Sequence, residues 1–135
     1  MDGQTRVEHT LAIAALVQAM VKELCEHYAA GQELPDHPFE MLDENKWLAA
    51  RSGLDASLVD LPGHERIPAR DLAARMLDRL RGHAEDLGSA GELEGIEDLL
   101  HRGAGAARQM LVYEANHDFR EVMAEIVAAT APDTA

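Results

Sequence analysis

The sequence predicts a mainly α-helical fold with about six helices and one small β-hairpin. Three observations support this prediction. Apolar residues recur at helical spacing along most of the chain, glycines or prolines separate these segments, and one Pro-Gly pair stands between two short extended runs. The chain has 135 residues, so we expect residues 1–135 to form a single domain or one segment of a larger domain.

The first predicted helix is the longest and spans residues 5–30. Thr5 and Glu8 have the spacing of a capping box, and Gly31 is suited to the left-handed backbone at a helix end. Its apolar positions recur every three or four residues, which is the spacing of one helix face. They are Val7, Leu11, Ala14, Val17, Val21, Leu24 and Tyr28.

A loop, a short helix and the hairpin are predicted to follow the long helix. The loop covers residues 32–41, where two prolines disfavour helical backbone in the residues before them. The short helix covers residues 42–52 and carries the single tryptophan. The hairpin covers residues 56–67, with its turn at Pro62 and Gly63.

Four more helices are predicted in the rest of the chain. Pro68 suits a first helical turn, Ser89 begins a second capping box, and Asp118 stands at an N-cap position. The residues after Thr130 are expected to fray. The four helices are predicted over residues 68–87, 90–102, 106–115 and 119–130.

The charge and the cysteine content disfavour several classes of function. The chain has 12 Lys and Arg against 25 Asp and Glu, and its net charge of -13 repels nucleic-acid phosphates and anionic lipid headgroups. We therefore expect no nucleic-acid or membrane partner. Because no targeting or membrane-spanning segment is visible and only one cysteine is present, a cytoplasmic location is predicted. Cys25, with glutamates beside it, is predicted to be a buried structural thiol.

The seven histidines raise the hypothesis of a helical metal carrier. Glu114 and His117 have Glu-x-x-His spacing, and Asp98 with His101 forms a loose second pair. A di-iron bundle needs two such motifs and two further inward-facing glutamates. We therefore expect no metal site in this chain, and histidines that are solvated or cap helices.

The most distinctive stretch lies in the short helix and combines Asn45, Lys46, Trp47 and Arg51. Trp47 and Arg51 are four residues apart, which allows the guanidinium to stack on the indole, whereas Lys46 and Arg51 are about 140° apart around the helix. A fixed guanidinium and an ammonium bind carboxylate or phosphate oxygens, as an acid-activating ligase requires. The structural alternative is a stacked Trp-Arg pair beside a solvated Lys46.

The stretch from residue 103 to residue 109, GAGAARQ, is a weaker candidate between two predicted helices. Glycines before a helix N-terminus let backbone amides approach an anion, whereas the alternative is simply a tight helix connection. The stretch lacks the longer glycine pattern of dinucleotide-binding and P-loop proteins.

In their order along the chain, these stretches resemble the C-terminal part of the carboxylate-amine ligase family, also called type 2 glutamate-cysteine ligases. The resemblance covers nearly the whole chain and is most specific in the short helix and the residues after it. Ser52 departs from the aromatic residue or histidine expected there. The resemblance is carried by residues 2–8 (DGQTRVE), 44–51 (ENKWLAAR), 53–56 (GLDA), 67–70 (IPAR), 92–94 (ELE), 103–109 (GAGAARQ) and 113–114 (YE).

The resemblance implies an ATP-dependent ligase. ATP would phosphorylate the side-chain carboxylate of glutamate, the amino group of cysteine would attack the acyl phosphate, and magnesium would neutralise charge on the transferring phosphoryl group. It also implies a fold similar to glutamine synthetase, in which helices pack around a curved antiparallel sheet. The residues that it places near substrate or nucleotide are Asn45, Lys46, Arg51, Arg108 and Gln109.

The length of the chain conflicts with a complete ligase, since members of this family have several hundred residues. We therefore expect a C-terminal segment that is inactive without an N-terminal catalytic sheet, with the catalytic residues upstream of Met1. This interpretation predicts an exposed apolar surface on the helices. The alternative is a stand-alone helical module that assembles with copies of itself through its first and last helices and has no catalytic activity.

Overall fold

A computed structural model describes residues 4–61 and 63–131. Within them the protein has seven α-helices, a 3₁₀ turn over Gly53–Asp55 and a two-stranded antiparallel hairpin, so the predicted fold class is confirmed. The elements are α1 Val7–Ala29, α2 Phe39–Ser52, β1 Ser57–Asp60, β2 Glu65–Pro68, α3 Ala69–Asp86, α4 Ala90–Leu93, α5 Gly95–Arg102, α6 Gly105–Asn116 and α7 Phe119–Thr130. None of the described helices is long and apolar enough to cross a membrane.

Three sequence predictions fall wholly or partly outside the described residues. They concern the turn residue Pro62, the fraying tail, which is described only as far as Ala131, and the start of the first family stretch at Asp2 and Gly3. The two predicted hairpin strands are confirmed, with Leu58 opposite Ile67 in the antiparallel register.

The predicted helix ends are confirmed where glycine sets them. Gly31, predicted to end the first helix, and three further glycines at helix ends have positive φ, from +54° to +86°, a region that side chains with a Cβ rarely enter. They are Gly31, Gly53, Gly88 and Gly103. The last helix also begins as predicted, because the Asp118 side chain accepts a hydrogen bond from the backbone N–H of Arg120 at 2.8 Å.

Other predicted boundaries are wrong. α2 begins at Phe39 rather than at residue 42, directly after the N-cap Pro38, so the loop before it is shorter than the predicted 32–41. Both predicted capping boxes are absent. The N-cap of α1 is Arg6, one residue after Thr5. Ser89 is the N-cap residue of α4, which begins at Ala90 as predicted, but the Ser89 hydroxyl donates to the Ala84 carbonyl instead of accepting a capping hydrogen bond.

The helix predicted over residues 90–102 is divided into α4 and α5. Gly95 begins α5 against α1, and a Cβ built on it would lie 2.8 Å from the Cβ of Ala12. Such a distance is too short for two carbon atoms, so only glycine allows α5 to approach α1 this closely. The division at Glu94 lets α4 and α5 each present their apolar residues to α1.

The hydrophobic core lies between α1, α3, α4 and α5. The residues that α1 contributes are small, because alanines allow neighbouring helices to pack closely. Two charged or polar side chains on α1 are also buried and paired: Glu23 with Arg79 at 3.1 Å, and His9 with Asp98 at 3.4 Å. The core residues are Ala12, Ala15, Ala19, Leu77, Leu80, Ala84, Leu93 and Ile96.

Ile13, Leu16 and Met20 of α1 are partly buried against this core, whereas a second set of large apolar residues lies on the other side of the helix and faces solvent. This outer stripe consists of the residues expected from the sequence, without the small Ala14: Val7, Leu11, Val17, Val21, Leu24 and Tyr28. Each has between 44% and 85% of its surface exposed. Cys25, beside Leu24, is exposed as well, so its predicted burial is wrong. The error arises because Cys25 lies on the outer side of α1, away from the alanines and from Ile13, Leu16 and Met20, which pack against the core.

An ion-pair cluster joins α1 to α3 at the surface. The Lys22 ammonium contacts Glu26 and lies 3.0 Å from Asp86, and His83 lies 3.2 Å from Glu26. The hydrogen bond to Glu26 raises the pKa of Lys22, and Asp86 adds to this effect. The same hydrogen bond lowers the pKa of Glu26 below its usual range.

Candidate functional site

Asn45, the first predicted site residue, fastens α2 to the hairpin. Its side-chain amide donates to the Val59 carbonyl and accepts from the Val59 N–H, both at 2.8 Å. The amide thereby pairs with β1 as a further strand would. Glu44 adds a second connection, since its carboxylate lies 2.6 Å from a guanidinium nitrogen of Arg66 on β2. The helix that carries the candidate cations is thus held against the sheet.

The two predicted cations of α2, Lys46 and Arg51, lie over different aromatic rings. The Arg51 guanidinium lies 5.1 Å from the centre of the Trp47 ring, which is the stacked pair expected from the sequence. The Lys46 ammonium lies 5.5 Å from the Phe39 ring and 3.2 Å from Asp43. Lys46 is therefore neutralised by a neighbour, whereas Arg51 is exposed and has no ion pair within the described residues.

Arg108 lies in the first turn of α6 and faces α7. Its Nε atom lies 2.5 Å from an Oε1 atom of Glu125, whose side chain is only 18% exposed. The Arg108 side chain is half exposed, so the guanidinium has an outward edge that is open to solvent. The contact is electrostatic, since the buried Glu125 Oε1 atom has no hydrogen-bond partner among the described residues, and it holds the guanidinium against α7.

Gln109 faces a groove between α6 and α7. The groove has a volume of about 520 Å³ and is mostly apolar, with Met110, Tyr113 and Phe119 among its lining residues. Tyr113 and Phe119 stack with ring centres 4.6 Å apart. Because α6 and α7 bury none of their residues, this helical pair presents an open apolar surface beside Gln109.

Next to Arg108 lies a polar junction that the sequence analysis missed. It joins the start of α1 to α5, α6 and α7 and encloses only about 20 Å³, room for a single water molecule. Arg102 lies 2.6 Å from Asp98, and the buried Nε atom of Arg6 has no hydrogen-bond partner among the described residues. Asp98 and Arg102 have the i, i+4 spacing of an ion pair, a signal that the sequence does contain.

The structure groups the predicted site residues in two places. Asn45, Lys46 and Arg51 share α2, and Arg108 and Gln109 share the start of α6. No hydrogen bond or ion pair joins α2 to α6 within residues 4–61 and 63–131. The predicted site residues therefore form two separate groups.

Both places suit anions better than metal ions. Arg51 and Arg108 each present a fixed guanidinium, which binds carboxylate and phosphate oxygens through paired hydrogen bonds. No group of three or more His, Cys, Asp or Glu residues in the described part of the chain is arranged to hold a metal ion. A cavity of about 320 Å³ beside α3 is lined by three carboxylates and by Arg70 and His101, so its lining carries charges of both signs.

Comparison with known proteins identifies the family. The family model described as glutamate-cysteine ligase family 2 matches residues 1–129. A protein of Rubrobacter xylanophilus named "Putative glutamate--cysteine ligase 2-1" is 38% identical over 134 residues, which are 98% of this chain and 35% of that protein. A protein of Sorangium cellulosum named "Putative glutamate--cysteine ligase 2" is 37% identical over 126 residues, 93% of this chain and 34% of its own length.

The match extends along the chain but covers only part of each relative. No solved structure matches the chain. The chain spans about a third of the length of the curated relatives it matches. Because the family model matches nearly every residue of the chain, this protein belongs to glutamate-cysteine ligase family 2 and corresponds to one part of such a ligase.

Proposed function

We propose that this chain is part of an ATP-dependent carboxylate-amine ligase that joins glutamate to cysteine through an acyl phosphate. The observation that carries the proposal is the family match over residues 1–129. In this chemistry ATP transfers its terminal phosphoryl group to the side-chain carboxylate of glutamate. The amino group of cysteine then forms the new amide bond and displaces phosphate.

The residues of this chain act in binding. Arg51, held by Trp47 and without a competing carboxylate, binds a carboxylate or phosphate group of the substrates. Arg108, directed by Glu125, binds a second anionic group, and Gln109 donates or accepts beside it. Such groups act by holding charged reactants in place, where positioning supplies much of the rate. Asn45 holds α2 in place, and Lys46, whose charge is paired with Asp43, is the weaker of the two candidate cations on α2.

Magnesium does not fit the described residues, since they hold no suitable cluster of ligands. We place its ligands, and the groups that act directly on the reacting atoms, in the two thirds of the ligase for which this chain has no counterpart. The chain alone is then inactive, and its partners are that remaining ligase region and the amino-acid substrates. Free ATP and amino acids are abundant in the cytoplasm, which is where we place the protein.

A chimera tests the proposed function. The matched third of the Rubrobacter xylanophilus ligase is replaced by this chain, and phosphate release from ATP is measured with glutamate and cysteine. The chimera should turn over, and the 135-residue chain alone should not. Sustained turnover by the chain alone, or an inactive chimera with an active parent enzyme, would contradict the proposal.

Two arginine variants of the chimera test the binding roles. Arg51→Ala should raise KM for a substrate by roughly tenfold or more, because a charged hydrogen bond contributes about 1.5–3 kcal/mol. Arg75→Ala is the matched control, since Arg75 is exposed on α3 and makes no ion pair within the described residues. If the two variants have the same kinetic constants, Arg51 does not bind a substrate.

The exposed apolar residues favour a second candidate function, a helical module without catalysis. In that case α1 and α7 join copies of the chain, and Met123 and Val127 on α7 are exposed as this would require. Light scattering over a range of concentrations distinguishes the two. A stable oligomer together with an inactive chimera would support the module.

A further inference from the structure

The outer stripe of α1 is a long apolar surface without charge. At about 1.5 Å per residue, α1 is roughly 35 Å long, and the stripe extends from its first residue to its last turn. At about 100° per residue, every charged side chain of α1 falls outside the stripe. These charged residues are Glu8, Lys22, Glu23 and Glu26.

The direction of the stripe is fixed by the core on the other side. Ala12, Ala15 and Ala19 are buried against α3, α4 and α5, and the close contact of Ala12 with Gly95 leaves no room for a larger side chain. α1 therefore cannot rotate to bring the outer stripe into this core. An apolar surface of this length on a folded protein marks an interaction surface.

We propose that the outer stripe is the docking surface for the remaining two thirds of the ligase, which contacts it with a complementary apolar face. This inference rests on the proposed function and specifies how its two parts meet. The curated relatives contain about twice as much additional chain as the third matched here. In each relative that additional chain is part of the same polypeptide as the matched third, so the two are always present together.

A second copy of the chain is a poorer occupant. Each copy carries a net charge of -13, so two copies brought together along α1 repel each other. The stripe itself provides no opposite charges to offset this repulsion. A surface for self-association would also need complementary charges at its edges. The charged residues beside the stripe are Glu8, Lys22 and Glu26. Lys22 is already paired with Glu26 and Asp86, so the described residues of α1 include no unpaired cation for the carboxylates of a second copy.

The single cysteine provides a direct test of coverage. Cys25 is exposed and lies within the arc of the stripe, between Val21 and Tyr28. Alkylation by iodoacetamide is followed at Cys25 by peptide mass mapping, in the 135-residue chain and in the chimera. The thiol should react on the order of tenfold more slowly in the chimera, because docking blocks access to it. Equal rates would overturn the proposal.

Two sets of variants distinguish docking from a general change of reactivity. Glu85→Cys places a control thiol on the exposed surface of α3, and it should react equally in the chain and in the chimera. Val17→Asp with Val21→Asp should restore alkylation of Cys25 in the chimera or leave the chimera insoluble. Leu34→Asp, at a loop position of similar exposure, should do neither.

The other possible outcomes of these measurements also support or contradict docking at the outer stripe. If Cys25 is protected in a chimera that lacks activity, the docking proposal is supported and the proposed function is contradicted. If the chimera is active but Cys25 reacts as fast as in the chain alone, the proposed function is supported and the docking proposal is contradicted. A concentration-dependent dimer of the chain, lost with Val17→Asp, would assign the stripe to a second copy and overturn the proposal. A chimera that is insoluble without any substitution, beside a soluble parent enzyme, would also count against it.

Discussion

Replacing Asn45 tests whether the α2 candidate site depends on the hairpin. Asn45→Ala removes both hydrogen bonds to Val59, whose residue surface is only 8% exposed. Each backbone group that loses its partner costs about 1–1.5 kcal/mol at this partly solvated strand edge. Alanine is the better helix former and returns about 0.5 kcal/mol. The free energy of unfolding should therefore fall by about 2 kcal/mol.

The assay combines a global and a local measurement. Urea denaturation followed by Trp47 fluorescence gives the free energy of unfolding, and the change corresponds to a decrease in Tm of roughly 6–10 °C. Hydrogen exchange at the Val59 amide gives the local effect, since this N–H donates to Asn45. Its exchange should accelerate on the order of tenfold or more.

Asn116→Ala is the matched control. Its side chain donates to the Val112 carbonyl of its own helix at 3.2 Å and makes no contact with a strand, so a change of less than about 0.5 kcal/mol is expected. The reasoning is refuted if Asn45→Ala leaves both the unfolding free energy and the Val59 exchange rate unchanged. Reduced activity of the chimera with unchanged stability would instead assign Asn45 directly to the substrate.

Two further predictions concern the packing and the charges of α1. Gly95→Ala should lower the free energy of unfolding by about 1–3 kcal/mol in urea denaturation, because the new Cβ would collide with Ala12. Gly91→Ala is the control: its Cβ would have open space, so the free energy of unfolding should rise by up to about 1 kcal/mol. Equal effects of the two substitutions would contradict the close contact of Gly95 with Ala12. Lys22→Met should lower stability at neutral pH, and this difference should shrink as pH falls through the lowered pKa of Glu26 and again as pH rises through the raised pKa of Lys22. Denaturation at acidic, neutral and alkaline pH measures the difference, and one that does not change with pH would rule out the ion pair.

The sequence predicted a helix end well where a single residue or its near neighbours determine that end. A glycine ends a helix because its own backbone enters the left-handed region, and Gly31 and Gly103 do so without help from distant residues. The same holds for Asp118, which caps the N–H two residues later. The capping boxes failed at Thr5 and Ser89, since the helix began one residue later in one case and the hydroxyl found another acceptor in the other.

The candidate site was only partly predictable. The stacking of Arg51 on Trp47 follows from their spacing along one helix, and it is present. The pairing of Asn45 with Val59 and of Arg108 with Glu125 joins residues on different elements, which spacing along the chain does not reveal. The polar junction at Arg6 and Asp98 was missed for the same reason.

The sequence by itself determined the helical class, the hairpin and the family to which the chain belongs. It also showed that α1 has apolar residues at regular spacing, but it did not show which face packs inward. The tertiary structure decided that point. Ala12 and Ala19 face the core because closely packed helices require small side chains, and Val17 and Val21 are left exposed on the other side of the helix.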